Sequence, residues 1–358
     1  METVVLDANI PGNIELCGEI LRGGGVVAFP TETVYGLGAN ALSESSVAGI
    51  FSVKGRPADN PLIVHVASLD DAVPLVVSIS DTFRLLADKF WPGPLTLIAR
   101  KSGIVPDNVT AGLDTVAIRM PSHSAALALI RAFGGPVAAP SANPSGRPSP
   151  TKASHVFSDI GGKLPFILDG GDCTVGIEST VLDISGSAAR ILRPGCVTLS
   201  ELEDVLGVVG TQGELGVENI VPSANSPCIP EYTPKSPGMK YRHYAPRAPL
   251  TAVIGSAEAT ADYIIERLRY GVEGACENIA ALMFDDYALS HPNVVTFGNS
   301  GDYAAQASRL FDALRAVDAM GLSAIFVQAP PEDGMGLAVA NRIKKAAGSN
   351  IVDLNESL

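Results

Sequence analysis

Cysteine and histidine are too few and too scattered to build a metal or disulfide framework. The 358-residue chain has five cysteines with no CxxC pair, and its five histidines are equally dispersed. An odd number of widely spaced cysteines argues against a set of disulfides or a zinc knuckle. Zinc cages need closely grouped histidine and cysteine ligands. We therefore predict no metal site made of protein ligands alone.

Long apolar runs and excess basic charge are missing as well. No stretch reaches ~18 uninterrupted apolar residues, and no basic segment followed by a long apolar run opens the sequence. These absences favour a soluble, cytoplasmic protein without membrane contact. Lys and Arg number 25 against 38 Asp and Glu, a net charge of −13. Strong direct nucleic-acid binding is therefore not expected, because phosphate binding depends on clustered cations. A local basic pocket stays open.

Apolar residues are plentiful, and their pattern predicts an α/β fold in two parts. Hydrophobic residues make up 46% of the chain, and its length favours two domains. Short apolar runs alternate with helical patterns over residues 1–206, which predicts a twisted mixed sheet with helices. One predicted helix is Ser122–Phe133, with Ser122 as its N-cap. Residues 250–358 predict a smaller, parallel, Rossmann-like domain. A dinucleotide is not implied there, because GxGxxG does not follow its first strand.

The segment between the two predicted domains, residues 207–249, is rich in proline and has no periodic apolar face. Proline fixes φ and removes a backbone donor, so the segment should be extended and semi-rigid. It contains SPGMKYRHYAP (Ser236–Pro246), with two cations, a histidine and two tyrosines. This composition suggests a linker that contacts something.

Small, polar and cationic residues follow several predicted strands. Active sites of open α/β sheets lie at strand ends, where loops converge on a rigid support. In PTETVYGLG (Pro30–Gly38) the threonines could bind a small polar ligand or merely cap a helix. In KGRPADNPLIVH (Lys54–His65) the two leading cations suit a polyphosphate, or form a solvated surface pair. The closing histidine suits a core position.

Arg119 lies in an otherwise apolar predicted strand, TVAIRMPSH (Thr115–His123). An unpaired buried charge is costly, so its partner is either an internal carboxylate or a ligand carboxylate. The later motifs APSANPSGRPSPT (Ala139–Thr151), GIESTVLDI (Gly176–Ile184) and RILRPG (Arg190–Gly195) add hydroxyls, glycines and further cations. Such loops can cradle phosphate or sugar oxygens.

Taken together, these loops predict binding and orientation of anions. Five cations share the strand-end loops of the first predicted domain: Lys54, Arg56, Arg119, Arg147 and Arg193. The spacings of a nucleophilic triad, of paired glycosidase carboxylates and of a Walker A loop are absent from the sequence. The residues therefore predict a nucleotide beside a small carboxylate substrate.

Seven motifs in order resemble one known family. They are FPTETVYGLG, KGRPADNPLIVH, WPGPLT, IRMPSH, PSANPSGRPSPT, ESTVLD and LRPG. Together they resemble the YrdC-like threonylcarbamoyl-AMP synthases. The SPGMKYRHYAP segment and the extra α/β domain are similar to the long, two-domain form of that family.

The resemblance implies a reaction of L-threonine, bicarbonate and ATP that gives threonylcarbamoyl-adenylate, pyrophosphate and water. It implies a nucleotidyltransferase that serves threonylcarbamoyladenosine modification of tRNA, with separate tRNA threonylcarbamoyl-transferase proteins as downstream partners. It also implies dependence on Mg²⁺, which we expect the ATP phosphates and water to hold for the most part.

The resemblance also implies site residues by position. The L-threonine pocket would comprise Thr33, His65, Arg119, Ala139 and Ser179. The ATP site would comprise Arg56, Asn60, Thr115, Ser141, Ser149, Arg193 and Tyr232. Lys54, Arg56 and Arg193 would be catalytic, stabilising charge on the transferring group. Lys240, His243 and Tyr244 would belong to a lid that excludes water from labile intermediates.

Two alternatives are kept beside this interpretation. One is an RNA-binding module of the same fold, against which stand the acidic net charge and the few exposed-looking aromatic residues. The other is a carbamoyl transferase that uses carbamoyl phosphate, as in hydrogenase-maturation relatives. The sequence lacks the zinc-finger and acylphosphatase segments of those relatives.

Overall fold

The computed structural model describes residues 1–211, 243–271 and 278–355, in which strands and helices alternate. The strands are β1 (Val4–Asp7), β2 (Val27–Phe29), β3 (Gly36–Asn40), β4 (Ile63–His65), β5 (Leu95–Arg100), β6 (Thr115–Arg119), β7 (Val137–Ala138), β8 (Phe166–Asp169), β9 (Thr180–Asp183), β10 (Arg190–Arg193), β11 (Gly210–Thr211), β12 (Leu250–Ile254), β13 (Ile279–Met283), β14 (Val294–Thr296), β15 (Ala324–Gln328) and β16 (Ile351–Asp353). The helices are α1 (Asn13–Arg22), α2 (Glu44–Lys54), α3 (Leu69–Ala72), α4 (Asp81–Phe90), α5 (Asp107–Thr110), α6 (Ser124–Phe133), α7 (Ala153–Ile160), α8 (Leu199–Leu206), α9 (Ala257–Tyr270), α10 (Tyr303–Ala319) and α11 (Gly336–Ala347).

The strands form two sheets, which confirms the predicted fold class. The first has the order β1-β8-β2-β3-β7-β4-β6-β5-β9-β10-β11 and mixes parallel with antiparallel pairs. The second has the order β14-β13-β15-β12-β16, and its strand pairs are all parallel. Parallel strands need crossover connections, which here are helices such as α9 and α10.

Strand register brings two predicted site residues together. β4 and β6 are parallel neighbours, and His65 is the register partner of Arg119 at their carboxyl ends. The two-residue strand β7 pairs antiparallel with β4 on its other side. Loops that leave the carboxyl ends of neighbouring parallel strands meet at one edge, so the sheet itself defines where a site can form.

Two local predictions were wrong. The helix predicted from Ser122 begins at Ser124, and His123 is its N-cap, because the His123 Nδ1 accepts the Ala125 N–H at 3.2 Å. The threonines of PTETVYGLG do not cap a helix, because the next element is the largely buried strand β3, which was not predicted. A Cβ at Gly38 would lie 2.8 Å from atoms of both Phe29 and Val137. Glycine is needed there because side chains of neighbouring strands fill the space.

The cores of the two sheets meet instead of staying separate. The apolar core of the second sheet includes residues of that sheet and its helices, such as Leu282 and Phe311. Val34 and Ile177, from the first sheet's loops, and Tyr244 belong to the same core. The second half of the chain (residues 243–271 and 278–355) therefore packs directly on loops of the first half (residues 1–211).

Helix α10 packs closely against loops of the first half. Gly176 has φ +79°, and a Cβ on it would lie 2.4 Å from the Cα of Ser308. Further along the helix, Asp312 pairs with Lys152 at 2.9 Å and Arg315 pairs with Asp159 at 2.6 Å. Residues three apart lie on one helix face, so a single face of α10 carries these ion pairs.

Among the described residues, Cys17, Cys173 and Cys196 are free thiols. In the same part of the chain, no helix combines the length and apolar character that crossing a bilayer requires.

Candidate active site

A cavity of about 70 Å³ opens at the edge of the first sheet where β4 and β6 end. Residues from both halves of the chain line it, since His243 and Tyr244 join residues of the first sheet's loops. The predicted site residues in its wall are Thr33, Arg56, His65, Arg119, Ala139, Ser141, Ser179, Arg193, His243 and Tyr244. Segments far apart in sequence thus converge on one place.

Arg119 is buried and has an internal carboxylate as its partner. Its Nη2 lies 2.7 Å from Glu32 Oε1, and its Nη1 donates to Thr33 Oγ1 at 2.8 Å. Its Nε donates to the Gly93 carbonyl at 3.3 Å. Glu32 is buried too, and although burial opposes it, Arg119 holds the pKa of that carboxyl below its usual value. The guanidinium still lines the cavity, so its orientation is fixed before any ligand arrives.

His65 is a neutral imidazole beside that cation. Burial, with Arg119 nearby, lowers the pKa of His65 to about 3. Phe29 lies edge-on to the ring, with centroids 6.1 Å apart. Among the described residues, His65 Nδ1 has no hydrogen-bond partner. A neutral imidazole that lines the cavity can hydrogen-bond an amine or a hydroxyl without repelling a cation.

Ser179 and Arg193 form one unit. Arg193 donates to the Ser179 carbonyl through Nε at 3.1 Å and Nη2 at 3.0 Å. The Ser179 hydroxyl lies 2.7 Å from Thr96 Oγ1. Gly195 follows at a point where a Cβ would lie 2.3 Å from the Thr180 nitrogen. The LRPG motif therefore needs its glycine so that the two backbone segments can touch.

Glu178, which sequence reasoning missed, lines the cavity between these residues. Its Oε1 accepts the Ser149 hydroxyl at 2.6 Å, and its Oε2 accepts Arg342 Nε at 3.0 Å. Burial opposes ionisation, yet Arg342 and Arg193 hold the pKa of Glu178 below its usual value. Its place directly before Ser179 in ESTV was the available clue. Its partner in α11 was beyond reach of any local pattern.

The two cations of the KGRP motif have different surroundings. Lys54 ends α2, and its buried amine donates to the carbonyls of Ser141 and Asn143. Burial, with Arg56 nearby, holds the pKa of that amine well below its usual value. Arg56 lines the cavity, and its Nη2 donates to the Asn60 carbonyl at 3.1 Å. Lys54 thus supports the loop after β7, and Arg56 is the cation of this motif in the cavity wall.

Other predicted residues do not line the cavity. Asn60, Thr115 and Ser149 are buried but absent from its wall, and Thr115 begins β6, at the opposite end of that strand from Arg119. Arg147, one of the five cations expected to converge, instead pairs with Asp318 of α10. Tyr232 and Lys240 lie outside the described residues.

His243 and Tyr244, predicted as part of a lid, stand where the chain enters the second half. Burial and nearby cations, Arg56 first, lower the pKa of His243 to about 4. Tyr244 has φ +66°, an uncommon conformation for a residue with a side chain. Its ring packs on Phe311 with centroids 5.2 Å apart, and the Arg342 guanidinium lies 6.0 Å from its centroid. Tyr244 therefore ties the cavity wall to α10 and α11.

Metal-binding groups are not concentrated in this wall. Within residues 1–211, 243–271 and 278–355, no group of three His, Cys, Asp or Glu side chains could hold a metal ion. The available oxygens are hydroxyls, such as that of Ser141, and the Glu178 carboxylate already bonded to Ser149 and Arg342. This donor set suits a divalent ion whose ligands are mostly phosphate oxygens and water.

Comparison with known proteins identifies the family. A profile described as "Telomere recombination" matches residues 19–195, and one described as "Threonylcarbamoyl-AMP synthase, C-terminal domain" matches residues 197–348. A threonylcarbamoyl-AMP synthase of Pyrococcus abyssi is 44% identical over 340 residues, 95% of each chain. This chain belongs to the threonylcarbamoyl-AMP synthase family.

A second relative and a solved structure agree with this assignment. The threonylcarbamoyl-AMP synthase of Bacillus subtilis is 43% identical over 97% of this chain and 96% of its own. The crystal structure of P. abyssi Sua5 complexed with L-threonine superposes with a TM-score of 0.88 at 42% identity, over 98% of this chain and 100% of that one. As a member of this synthase family, the protein is an enzyme.

Proposed function

We propose that this enzyme is an L-threonylcarbamoyladenylate synthase, a nucleotidyltransferase that uses L-threonine, bicarbonate and ATP. The observation that carries the proposal is the cavity, where oriented guanidinium groups lie beside a neutral imidazole and several hydroxyls. Such a wall can hold an amino-acid carboxylate next to the phosphates of a nucleotide.

Threonine would bind on the side of the cavity formed by β4 and β6. Arg119, oriented by Glu32 and Thr33, would receive the amino-acid carboxylate, since guanidinium groups pair with carboxylates through two parallel hydrogen bonds. His65 would accept a hydrogen bond from the amine or hydroxyl of threonine. The similar P. abyssi Sua5 has a structure complexed with L-threonine, which supports threonine as the substrate.

The chemistry would then proceed in two steps. The unprotonated amine of threonine attacks the carbon of bicarbonate or CO₂, and an N-carboxylate forms. With bicarbonate, water leaves; with CO₂, the amine loses a proton to solvent. An oxygen of that carboxylate attacks the α-phosphorus of ATP, and the bond to pyrophosphate breaks. Arg56 and Arg193 would stabilise the charge that spreads over the phosphoryl oxygens. Lys54 would act through the carbonyls of Ser141 and Asn143, which it holds in place.

Mg²⁺ would enter with ATP, and when bound it would neutralise phosphate charge. Its ligands would be mainly phosphate oxygens and water, and the Ser141 hydroxyl is one oxygen donor that the cavity wall offers. The adenylate would be passed to separate tRNA threonylcarbamoyl-transferase proteins. Because that product hydrolyses readily, the enclosed position of His243 and Tyr244 in the wall suits a water-excluding role.

A mass-spectrometric assay tests this proposal. The protein is incubated with ATP, Mg²⁺, isotopically labelled bicarbonate and one amino acid at a time. We expect the adenylate only with threonine, carrying the label, together with an equal amount of pyrophosphate. Reactions without bicarbonate, and the same series with Arg193→Gln, serve as controls. Pyrophosphate release that does not depend on threonine, or a product without the label, would refute the proposal.

A further inference from the structure

Helix α11 of the second sheet sends one arginine across to the cavity. Arg342 lies in the middle of that helix, and none of its surface is exposed. Its Nε donates to Glu178 Oε2 at 3.0 Å, its Nη2 donates to the Glu178 carbonyl at 3.1 Å, and its Nη1 donates to the Pro194 carbonyl. All three bonds leave the second half of the chain and end in the first.

Each partner of Arg342 adjoins a residue of the cavity wall. Glu178 directly precedes Ser179, and Pro194 directly follows Arg193. Ser179 and Arg193 are themselves bonded, at 3.0–3.1 Å. A guanidinium carries five donors in a rigid plane. One planar group therefore fixes the relative position of the two backbone segments that present this pair.

The charge of Arg342 matters as much as its shape. Glu178 is a buried carboxylate, and among the nearby cations Arg342 contributes most to keeping its pKa low. Without that partner, the carboxylate would have to take up a proton or turn away, because an uncompensated buried charge is strongly unfavourable. Ser149, which donates to the other Glu178 oxygen at 2.6 Å, would lose its fixed acceptor. Loss of Arg342 would thus disturb the wall at two points.

We propose that Arg342 is a positioning residue for adenylate formation: from the second half of the chain, it holds Ser179 and Arg193 in register through Glu178 and Pro194. The proposal rests on the proposed function, since it names what that site requires. It assigns the second sheet a direct part in the geometry of a cavity that lies mainly at the edge of the first.

The decisive comparison is Arg342→Lys against Arg315→Lys in the full-length protein. Both arginines cross between the halves to a carboxylate and a carbonyl, since Arg315 bonds Asp159 and the Pro148 carbonyl. Lysine keeps the charge but cannot form the planar fork. We expect Arg342→Lys to lower kcat for adenylate formation by about 10²-fold, as small misplacements of catalytic groups do. We expect Arg315→Lys to change kcat by less than about threefold, because the partners of Arg315 adjoin neither Ser179 nor Arg193.

A double substitution separates positioning from general stability. If Arg342 acts through Glu178, the loss in kcat for Arg342→Met with Glu178→Gln will be smaller than the product of the two single losses. Strictly multiplicative losses would overturn the proposal. So would a folded Arg342→Lys protein with the kcat of Arg315→Lys. Circular dichroism and thermal melting establish that each variant is folded, and Arg342→Lys is the variant that retains the buried charge.

Hydrogen exchange distinguishes this proposal from the proposed function. If the unaltered protein makes no adenylate, the proposed function fails, but Arg342 can still be judged. Arg342→Lys should then speed amide exchange over residues 177–196, whereas Arg315→Lys should speed it over residues 153–160. Unchanged exchange over 177–196 in the folded Arg342→Lys protein would show that Arg342 does not hold these segments.

Discussion

Arg119 shows how one residue can serve both stability and recognition. Its partners Glu32 and Thr33 fix the guanidinium, yet the group remains on the cavity wall. The sequence left open whether an internal carboxylate or a ligand balances this cation. The structure gives it the internal partner, and the proposed function adds the ligand to the face that remains.

Replacement of Arg119 by lysine should weaken threonine binding selectively. Lysine keeps the positive charge beside Glu32 but lacks the paired donors that match a carboxylate. A charge-assisted hydrogen bond contributes about 1.5–3 kcal/mol, so we expect the Kd for threonine to rise by about 10- to 100-fold. Isothermal calorimetry with threonine measures this. Arg100→Lys, at the exposed end of β5, is the control, and equal threonine affinity in both variants would contradict the pocket.

His65 should make the fold sensitive to mild acid. Its pKa falls from the ordinary 6.5 to about 3 on folding, so the unfolded chain binds a proton in that range that the folded chain does not. The stabilisation is therefore complete above pH 6.5 and decreases as the pH falls. From pH 7 to pH 5 this group alone should cost about 2 kcal/mol. Urea unfolding at both pH values should show a smaller loss for His65→Gln, and an equal loss in both proteins would argue against a neutral buried imidazole.

Residues at strand ends could be predicted from the sequence, whereas their charge partners could not. Thr33, His65 and Arg119 follow or end strands that are recognisable as apolar runs. Glu178 lies inside a recognised motif, but its importance depends on Arg342, which is distant in sequence. Local patterns contain no information about which buried charges meet.

At the scale of elements, the apolar pattern predicts strands and helices whose side chains face a core. The apolar patterns predict a strand over residues 95–100 and helices over residues 81–90 and 257–270, and β5, α4 and α9 have these bounds. Strand β3 was missed, because its two glycines satisfy contacts with Phe29 and Val137 that belong to neighbouring strands. Strand propensity depends on side chains that favour strands, whereas β3 needs positions without a side chain.

Helix α8 offers an element-scale test that should leave the chemistry intact. Thr198 and Glu201 form a capping box, in which each side chain accepts the other's backbone N–H. Thr198→Ala should lower the free energy of unfolding by about 1 kcal/mol and the Tm by about 2–4 °C. Ser200→Ala, exposed in the same first turn, is the matched control. Calorimetric melting that gives the same Tm for both variants would show that the capping box contributes nothing measurable.

At the scale of the whole molecule, charge separates an acidic surface from a basic cavity. The net charge is −13, yet Arg56, Arg119 and Arg193 line one small space. The division of the chain at residues 207–249 remains a prediction, since most of that segment lies outside the described residues. What the sequence could not predict is that the two halves share a core around Val34 and Ile177.

This charge distribution predicts weak binding to RNA. A filter-binding titration with tRNA, without nucleotide, should give half-saturation above about 10 µM at physiological salt, the range of non-specific contacts. The same protein should bind ATP in parallel samples, which controls for its integrity. Tight RNA binding that weakens steeply with salt would instead favour an RNA-binding module.

Substitutions at Gly176 can change the spacing between the two halves in small steps. Its backbone touches α10 so closely that even a methyl group has no room. Alanine and then valine at this position would add increasing side-chain volume and push α10, with the sheet behind it, away from the segment that contains Glu178. The activity of this series would therefore show how much separation between α10 and the Glu178 segment the enzyme tolerates.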